Sequence, residues 1–249
     1  MLYNLSEVNS LEKLYIIIPA YNEQDTIESV VREWHPVAKE HGEESRLVIL
    51  NDGSKDDTLG ILEKLKEEFP LLTVIDKPNS GHGATLLYGY KYALKEGADY
   101  VFQTDSDGQT LPSEFDEFWQ KREQNDAVIG YRKNRKDGFS RIVVTKTLKL
   151  VLRIIFGVKV TDANTPFRIM KREVLEKYIE DVPKDFNLTN VLLTVFFIKG
   201  KEKVEFIPIT FRERQGGVNS INIPKITKIG IQALKDFRKI NKIWKQKHK

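Results

Sequence analysis

The chain has 249 residues, enough to bury a sizeable core within one α/β domain. Its 40 basic and 36 acidic residues leave a net charge of only +4, so composition gives no argument for a nucleic-acid partner, and the ordinary apolar content argues against disorder. Cysteine is absent, which excludes disulfides, thiolate catalysis and zinc–thiolate centres and fits a reducing compartment; four scattered histidines suggest no metal cluster.

The opening segment MLYNLSEVNSLEKL lacks a basic start followed by an apolar core, so no secretory leader is expected. Apolar runs then recur between turn residues: LYIIIPAYNE, RLVILNDGS, LTVIDKPNSG, YVFQTDSDG and DAVIGYR. Helical periodicity fills the gaps, at about 25–39, 58–69, 83–96 and 112–122. Strands that are apolar on both faces and alternate with such helices predict βαβ units and a mostly parallel sheet covered on both sides. Further on, 140–160 is apolar but punctuated by Arg141, Lys146, Lys149, Arg153 and Lys159, and 225–249 is rich in lysine. Both read as basic amphipathic helices; each would either pack on the core, remain as a solvated terminus, or lie in a membrane interface. The longest wholly apolar stretch, VLLTVFFI, falls far short of the roughly 20 residues that a spanning helix needs.

The polar residues stand where each apolar run stops: Asn22 and Glu23, Asn51 and Asp52, Asp105 and Asp107. Ligands of open α/β sheets bind outside the carboxyl ends of the strands, so three of the first four strands aim polar groups at one crevice. Asp105 and Asp107, two apart on extended backbone, point to the same side and suit Mg2+ or Mn2+, which takes one or two carboxylates together with phosphate oxygens and water. A surface turn is the bland alternative. An EF-hand is excluded, because Gln109 and Thr110 stand where its pattern needs Asp or Asn and then Gly. Asp52, at a strand tip, would accept hydrogen bonds from a nucleobase or a ribose. Ser54, Asp56 and Asp57 read as turn and cap residues only. The stretch NSGHGA fits no phosphate-loop pattern, but Gly81 and Gly83 would let backbone approach a ligand at a helix N-terminus, with His82 a local contact.

In this order and spacing, IIPAYNE, LNDGSKDDT, NSGHGA and TDSDGQ resemble family 2 glycosyltransferases of the GT-A fold, and most of all the branch of polyprenyl-phosphate sugar synthases that includes dolichol-phosphate mannose synthase. The resemblance runs from about residue 14 to 215. It implies that Pro19, Ala20, Tyr21, Glu23 and Asp52 hold a nucleotide, and that Asp105, Asp107 and Gln109 hold the metal on its diphosphate. It implies a GT-A domain over 1–215, with 216–249 a basic helical tail packed on or beside it. GYRKNR resembles the segment after the branch's fifth strand. DANTPFRIMKREVL resembles its D-x-x-x-G-F-R motif with Pro166 in place of glycine, and IPITFRERQGGVNS resembles its late arginine-bearing loop with one residue added. Arg132, Arg141, Arg168, Arg212 and Arg214 thus fall on the acceptor side.

The expected chemistry is inverting transfer of a sugar from a UDP- or GDP-sugar. A phosphate acceptor is already an anion and needs arginines, not a base, whereas a hydroxyl acceptor needs a general base, for which Asp162 is the named candidate. Asp107, Arg132, Asp162 and Arg214 are the expected catalytic residues. A polyprenyl or dolichyl lipid phosphate is the leading acceptor, a hydroxyl of a lipid-linked or surface glycan the second, and action from the cytoplasm at the inner face of an anionic membrane is expected. A nucleotide-sugar-binding protein or scaffold without turnover is the alternative from another class; a nucleotidyltransferase is disfavoured by the absence of a glycine-rich, arginine-bearing loop after the first strand.

Overall fold

All five apolar runs form strands: β1 (Leu14–Ala20), β2 (Arg46–Asn51), β3 (Leu72–Asp76), β4 (Tyr100–Gln103) and β5 (Ala127–Arg132). A computed structural model describes residues 12–132, 139–212 and 223–248, and adds β6 (Arg168–Lys171) and β7 (Val204–Ile209). The seven strands form one sheet in the order β3-β2-β1-β4-β6-β5-β7. Only β6 runs against its neighbours; every other pairing is parallel. The reversal brings the start of β6 to the edge where β4 ends, with Arg168 in register with Gln103.

Helices α1 (Ile27–Glu40), α2 (Thr58–Glu68) and α4 (Phe115–Lys121) cover one face of this sheet. Their Trp34, Leu62 and Phe115 pack on Ile16, Ile18, Leu47 and Ile49. Helices α3 (His82–Lys95), α6 (Arg172–Tyr178) and α7 (Thr189–Lys199) cover the other, where Leu86, Tyr90, Leu175 and Phe196 meet Ile17, Val48 and Leu50. The strand residues alternate between the two clusters as the period of two requires. Two apolar layers leave the sheet no wet face, which is why its strands read as continuous apolar runs.

The stretch VLLTVFFI is α7, whose residues Thr189 to Phe197 are all buried, so its uniform apolarity reflects a core helix. No described helix is long and apolar enough to cross a membrane. The two basic segments are also helical, as α5 (Phe139–Phe156) and α8 (Ile223–Lys247). Leu152 and Phe156 of α5 are buried, Phe156 meets Phe237 of α8 edge to face, and Asn241 donates to the Ile155 carbonyl at 2.6 Å. At the far end of α8, Lys247 and His248 both reach Asp181. Leu150 and Ile154, on the outer side of α5, stay 57 % and 73 % exposed, and Ile243 on α8 is exposed as well.

Gly83 shows how closely α3 is drawn in. A Cβ there would stand 2.2 Å from the Phe186 carbonyl oxygen and 2.6 Å from the Asn187 backbone. The contact is with main chain, which cannot swing aside. Gly83→Ala is therefore expected to lower stability by about 1–3 kcal/mol, the usual cost of overpacking, as a fall in the urea midpoint without a change in slope.

Candidate active site

The carboxyl ends of β1, β2 and β4 open on a cleft of ≈ 520 Å³, within the range of small-molecule sites. Pro19, Ala20, Tyr21 and Glu23 line it from β1, Asp52 from β2, Gly81, His82 and Thr85 from the start of α3, and Asp105, Ser106 and Asp107 from the loop after β4. Eight expected ligand residues thus meet in one place: Pro19, Ala20, Tyr21, Glu23, Asp52, Gly81, Asp105 and Asp107.

Asp52 follows the last residue of β2, and its N–H still donates to the Ala20 carbonyl at 2.8 Å. Beyond it Gly53 takes φ +65°, and a Cβ there would come within 2.8 Å of the Asn79 nitrogen, so only glycine lets the two loops pass so closely. The 77–81 loop wraps the Asp52 carboxylate. Ser80 and Gly81 donate their N–H groups at 2.8 and 3.0 Å, and the Lys77 ammonium is in direct contact with it. Lys77 also reaches the Ser80 hydroxyl at 2.7 Å and the Pro78 carbonyl at 2.9 Å. Burial by itself would raise the Asp52 pKa; the Lys77 ammonium and the loop N–H groups outweigh it and hold the carboxyl below its ordinary value. Lys77 was not foreseen. Its signal lay in the β2–β3 register, since Asn51 pairs with Asp76 and the next residue on each strand is therefore a neighbour.

The β1 and β2 exits lock together. Asn22, at φ +56°, accepts the Lys55 N–H at 2.7 Å, the Asn22 N–H donates to Ser54, and the Gln24 N–H donates to Asp56. Asp56 also accepts from the Thr58 N–H at 3.1 Å. Ser54 and Asp56 are thus turn and cap residues, as their sequence positions suggest. Glu23 is buried, and the single Thr26 hydroxyl proton is shared between its carboxylate at 3.1 Å and the Ser106 carbonyl at 3.0 Å, which ties the first loop to the third.

Asp105 and Asp107 lie half-buried in the loop after β4, which is closed at its base by a 2.6 Å contact between the Thr104 and Thr110 hydroxyls. Asp107 accepts the Gln109 N–H at 3.1 Å. Two oxygen-donor carboxylates lining the cleft fit Mg2+ or Mn2+, whose remaining positions go to water and phosphate oxygens. Gly81 and His82 line the same cleft at the N-terminus of α3, whose dipole favours an anion.

Four expectations need correction or qualification. Gln109 does not line the cleft: its side-chain nitrogen donates to the Arg212 carbonyl at 3.0 Å, and Arg212 N–H returns a bond to the Gln109 carbonyl, so the residue ties the loop to the exit of β7. Gly83 is not at the cleft either, and serves helix packing. Arg168 is fully buried, with five hydrogen bonds to the carbonyls of Ala163, Thr165 and Asn190 and the hydroxyl of Thr194, which uses its N–H groups inside the core and leaves none for an acceptor. Arg212 turns to Glu33 at 2.7 Å and to the Thr110 carbonyl at 3.0 Å.

Arg132, at the tip of β5, lies over the Phe211 ring at 3.8 Å. Asp162 is buried and accepts the Asn164 N–H at 3.2 Å; it does not line the cleft. Arg214 lies outside the described residues, as does the side chain of Arg141.

Comparison with known proteins adds three findings. The family model described as glycosyl transferase family 2 matches residues 15–179. A polyprenol monophosphomannose synthase of Mycolicibacterium smegmatis is 28% identical over 225 residues, covering 86% of this chain and 83% of its own. Among solved structures, a glucosyl-3-phosphoglycerate synthase from Mycobacterium tuberculosis bound to phosphoglyceric acid superposes with a TM-score of 0.67 at 20% identity, over 92% of this chain and 80% of that one. The same enzyme bound to Mn2+ and uridine-diphosphate-glucose superposes at 0.64 and 20% identity, over 90% of this chain and 77% of that one.

The Lys77–Asp52 pair is open to a direct test. Lys77→Met leaves a buried carboxylate with its N–H donors but without its cation, and is expected to cost about 2 kcal/mol at neutral pH, the scale of a hydrogen bond to a charged group. Because the folded-state pKa of Asp52 is depressed, this contribution is present above its ordinary value of 3.8 and fades as pH falls through the lower folded value. Urea unfolding of both proteins at pH 7 and pH 3 checks it: the gap should shrink at the lower pH.

Proposed function

Because the chain belongs to glycosyl transferase family 2, we propose that it is an inverting, metal-dependent enzyme that moves a sugar from a UDP- or GDP-sugar to a lipid phosphate of the polyprenyl type. The observation that carries this reading is the convergence of Asp52, Asp105 and Asp107 with the N-terminus of α3 in one cleft. Tyr21, half out of the cleft wall at 42 % exposure, offers a ring face to a base, while Asp52 accepts from an N–H or hydroxyl of the nucleoside. Asp105 and Asp107 would hold Mg2+ or Mn2+; that ion, when bound, shields the charge of the departing diphosphate. The α3 N-terminus adds fixed N–H dipoles in the same cleft.

The acceptor is read from chemistry and kinship together. The relative from Mycolicibacterium smegmatis is named for a polyprenol phosphate product, and a phosphate acceptor attacks as the anion it already is, so no general base is required. That suits a cleft in which Asp52 is paired with Lys77, Asp105 and Asp107 are assigned to the cation, and Glu23 accepts from Thr26. Arg132 and Arg214 remain the proposed phosphate-binding residues, whereas Arg168 and Arg212 are committed elsewhere. Asp162, buried away from the cleft, is better suited to ordering the chain before β6 than to taking a proton.

The same reading places the protein at the cytoplasmic face of an anionic membrane. Leu150 and Ile154 stand exposed on α5 beside exposed Lys146 and Arg153, while Leu152 and Phe156 of the same helix are buried. Apolar residues rimmed by cations favour an interface of acyl chains and anionic headgroups.

Activity is measured as release of UDP or GDP from a panel of nucleotide sugars with Mn2+ and a polyprenyl phosphate in detergent, and as labelled sugar in the organic phase. The reading predicts metal-dependent transfer of label to the lipid, inverted at the anomeric carbon. Asp107→Ala is expected to lower kcat about 10³-fold, the weight of several kcal/mol of charge stabilisation. Label recovered only in a water-soluble or glycan product would favour the hydroxyl acceptor, and stoichiometric binding without turnover would favour the non-catalytic reading.

A further inference from the structure

Beneath the loop that carries Asp105 and Asp107 lies a buried polar layer that none of the preceding chemistry uses. Gln103, the last residue of β4, is fully buried in a strand otherwise made of Tyr100, Val101 and Phe102. Its carbonyl oxygen is held from two directions, by the Tyr90 hydroxyl at 2.8 Å and by the side-chain nitrogen of Asn190 at 2.8 Å. Tyr90 is itself fully buried and lies 2.9 Å from the Asn190 side-chain oxygen, so its single proton is shared between two acceptors. Burial drives its pKa upward, which keeps it a donor at any physiological pH. The Asn190 backbone carbonyl in turn accepts from Arg168 at 3.2 Å.

These contacts fix which way the Gln103 amide faces. Its oxygen receives donors from Tyr90 and Asn190; turning this amide alone would set an NH2 against the Asn190 NH2, and turning both would leave the buried Tyr90 hydroxyl facing two NH2 groups with no acceptor for its proton. The amide nitrogen must then point out of the core, and the Asp105 carboxylate stands 3.5 Å from it. A contact of that length adds little stability by itself. Its value is directional: it gives one carboxylate oxygen a donor on the core side, while the residue lines the cleft. The Arg168 guanidinium, fixed by five hydrogen bonds to four neutral groups, adds a positive charge deeper in the same layer that acts on Asp105 through space.

We infer that Gln103 is a positioning residue for the cation site: anchored by Tyr90 and Asn190 over the buried Arg168, it orients the Asp105 carboxylate toward the cleft without touching the ion. This rests on the proposed metal-dependent function. Groups that orient metal-binding residues in this way typically contribute 10–100-fold in metal affinity.

The test uses the whole chain with two variants. Gln103→Met keeps the length of the side chain and removes its amide; Tyr90→Phe leaves Gln103 in place and removes one of its two anchors. Melting temperature is followed as Mn2+ is titrated with saturating UDP or GDP, whichever stabilises the wild type more, and nucleotide affinity is measured separately in EDTA. Gln103→Met is expected to raise the half-saturating Mn2+ concentration about tenfold. Tyr90→Phe should raise it by a smaller factor, with metal-free nucleotide affinity within twofold of wild type in both. A purely structural role would lower the starting melting temperature of the variants and leave the Mn2+ midpoint where it was, which overturns the inference. If Gln103→Met does not fold, an unchanged Mn2+ midpoint in Tyr90→Phe overturns it equally. Absence of any Mn2+ response in the wild type would contradict the metal reading itself, a different failure that takes the inference with it.

Discussion

A carboxylate withdrawn from water must be answered by opposite charge or by hydrogen-bond donors, and the organisation of this molecule follows from having several of them at one edge of its sheet. Parallel strands packed on both faces can place side chains in solvent only at their ends, so residues that must meet a ligand collect there. The chain meets the electrostatic cost in two ways. Asp52 carries its own counter-charge, since Lys77 is supplied by the neighbouring strand and the 80–81 N–H groups complete its shell. Asp105 stands over an amide and a distant, encased arginine, an arrangement that orients it but leaves room for a cation from outside.

The two arrangements suit two tasks. A carboxylate held ionised and fixed by a lysine and two backbone donors is a rigid acceptor, suited to reading the hydrogen-bond pattern of a nucleoside. A carboxylate with only a neutral donor on its core side suits the proposed metal. Between them the start of α3 contributes N–H dipoles, and the Thr26 bridge to Ser106 keeps the β1 and β4 loops at a set spacing. These bonds within the protein fix the cleft walls, which lowers the ordering cost for the diphosphate proposed to bind there. Arg168 belongs to this scheme as interior architecture. Its N–H groups hold the 163–165 carbonyls and the start of α7 against β6, which makes it a structural centre where its motif position suggested an anion ligand.

Much of this was legible from the chain. Asp52, Asp105 and Asp107 announce themselves because each stands where an apolar run stops, and that break in pattern survives without knowledge of pairing. The positions of β1 to β5 follow the same logic, whereas their order in the sheet, with β6 inserted between β4 and β5, does not. What was hidden depends on register or on contacts distant in sequence. Lys77 becomes the partner of Asp52 only once Asn51 is known to pair with Asp76. Gly83 looks like a ligand-approach glycine because its neighbours resemble a phosphate loop, yet the backbone it makes room for is that of Phe186 and Asn187. The short strand β6 escapes notice because only Ile169 and Met170 are apolar in it, and its reversed direction follows from the chain entering at the cleft edge. Gln109 is the instructive case: its spacing fits a metal site, yet it stands outside the residues that line the cleft, with its amide nitrogen donated to the Arg212 carbonyl.

The central claim, that the acids after β4 grip a cation on a nucleotide diphosphate, is tested most directly by anomalous diffraction from crystals grown or soaked with Mn2+ and UDP or GDP. The account predicts one manganese peak within coordination distance of Asp105 or Asp107, bridged to the diphosphate, with the nucleoside against Asp52. Nucleotide density in the cleft with no manganese beside those two acids, or manganese bound at another site, would contradict it.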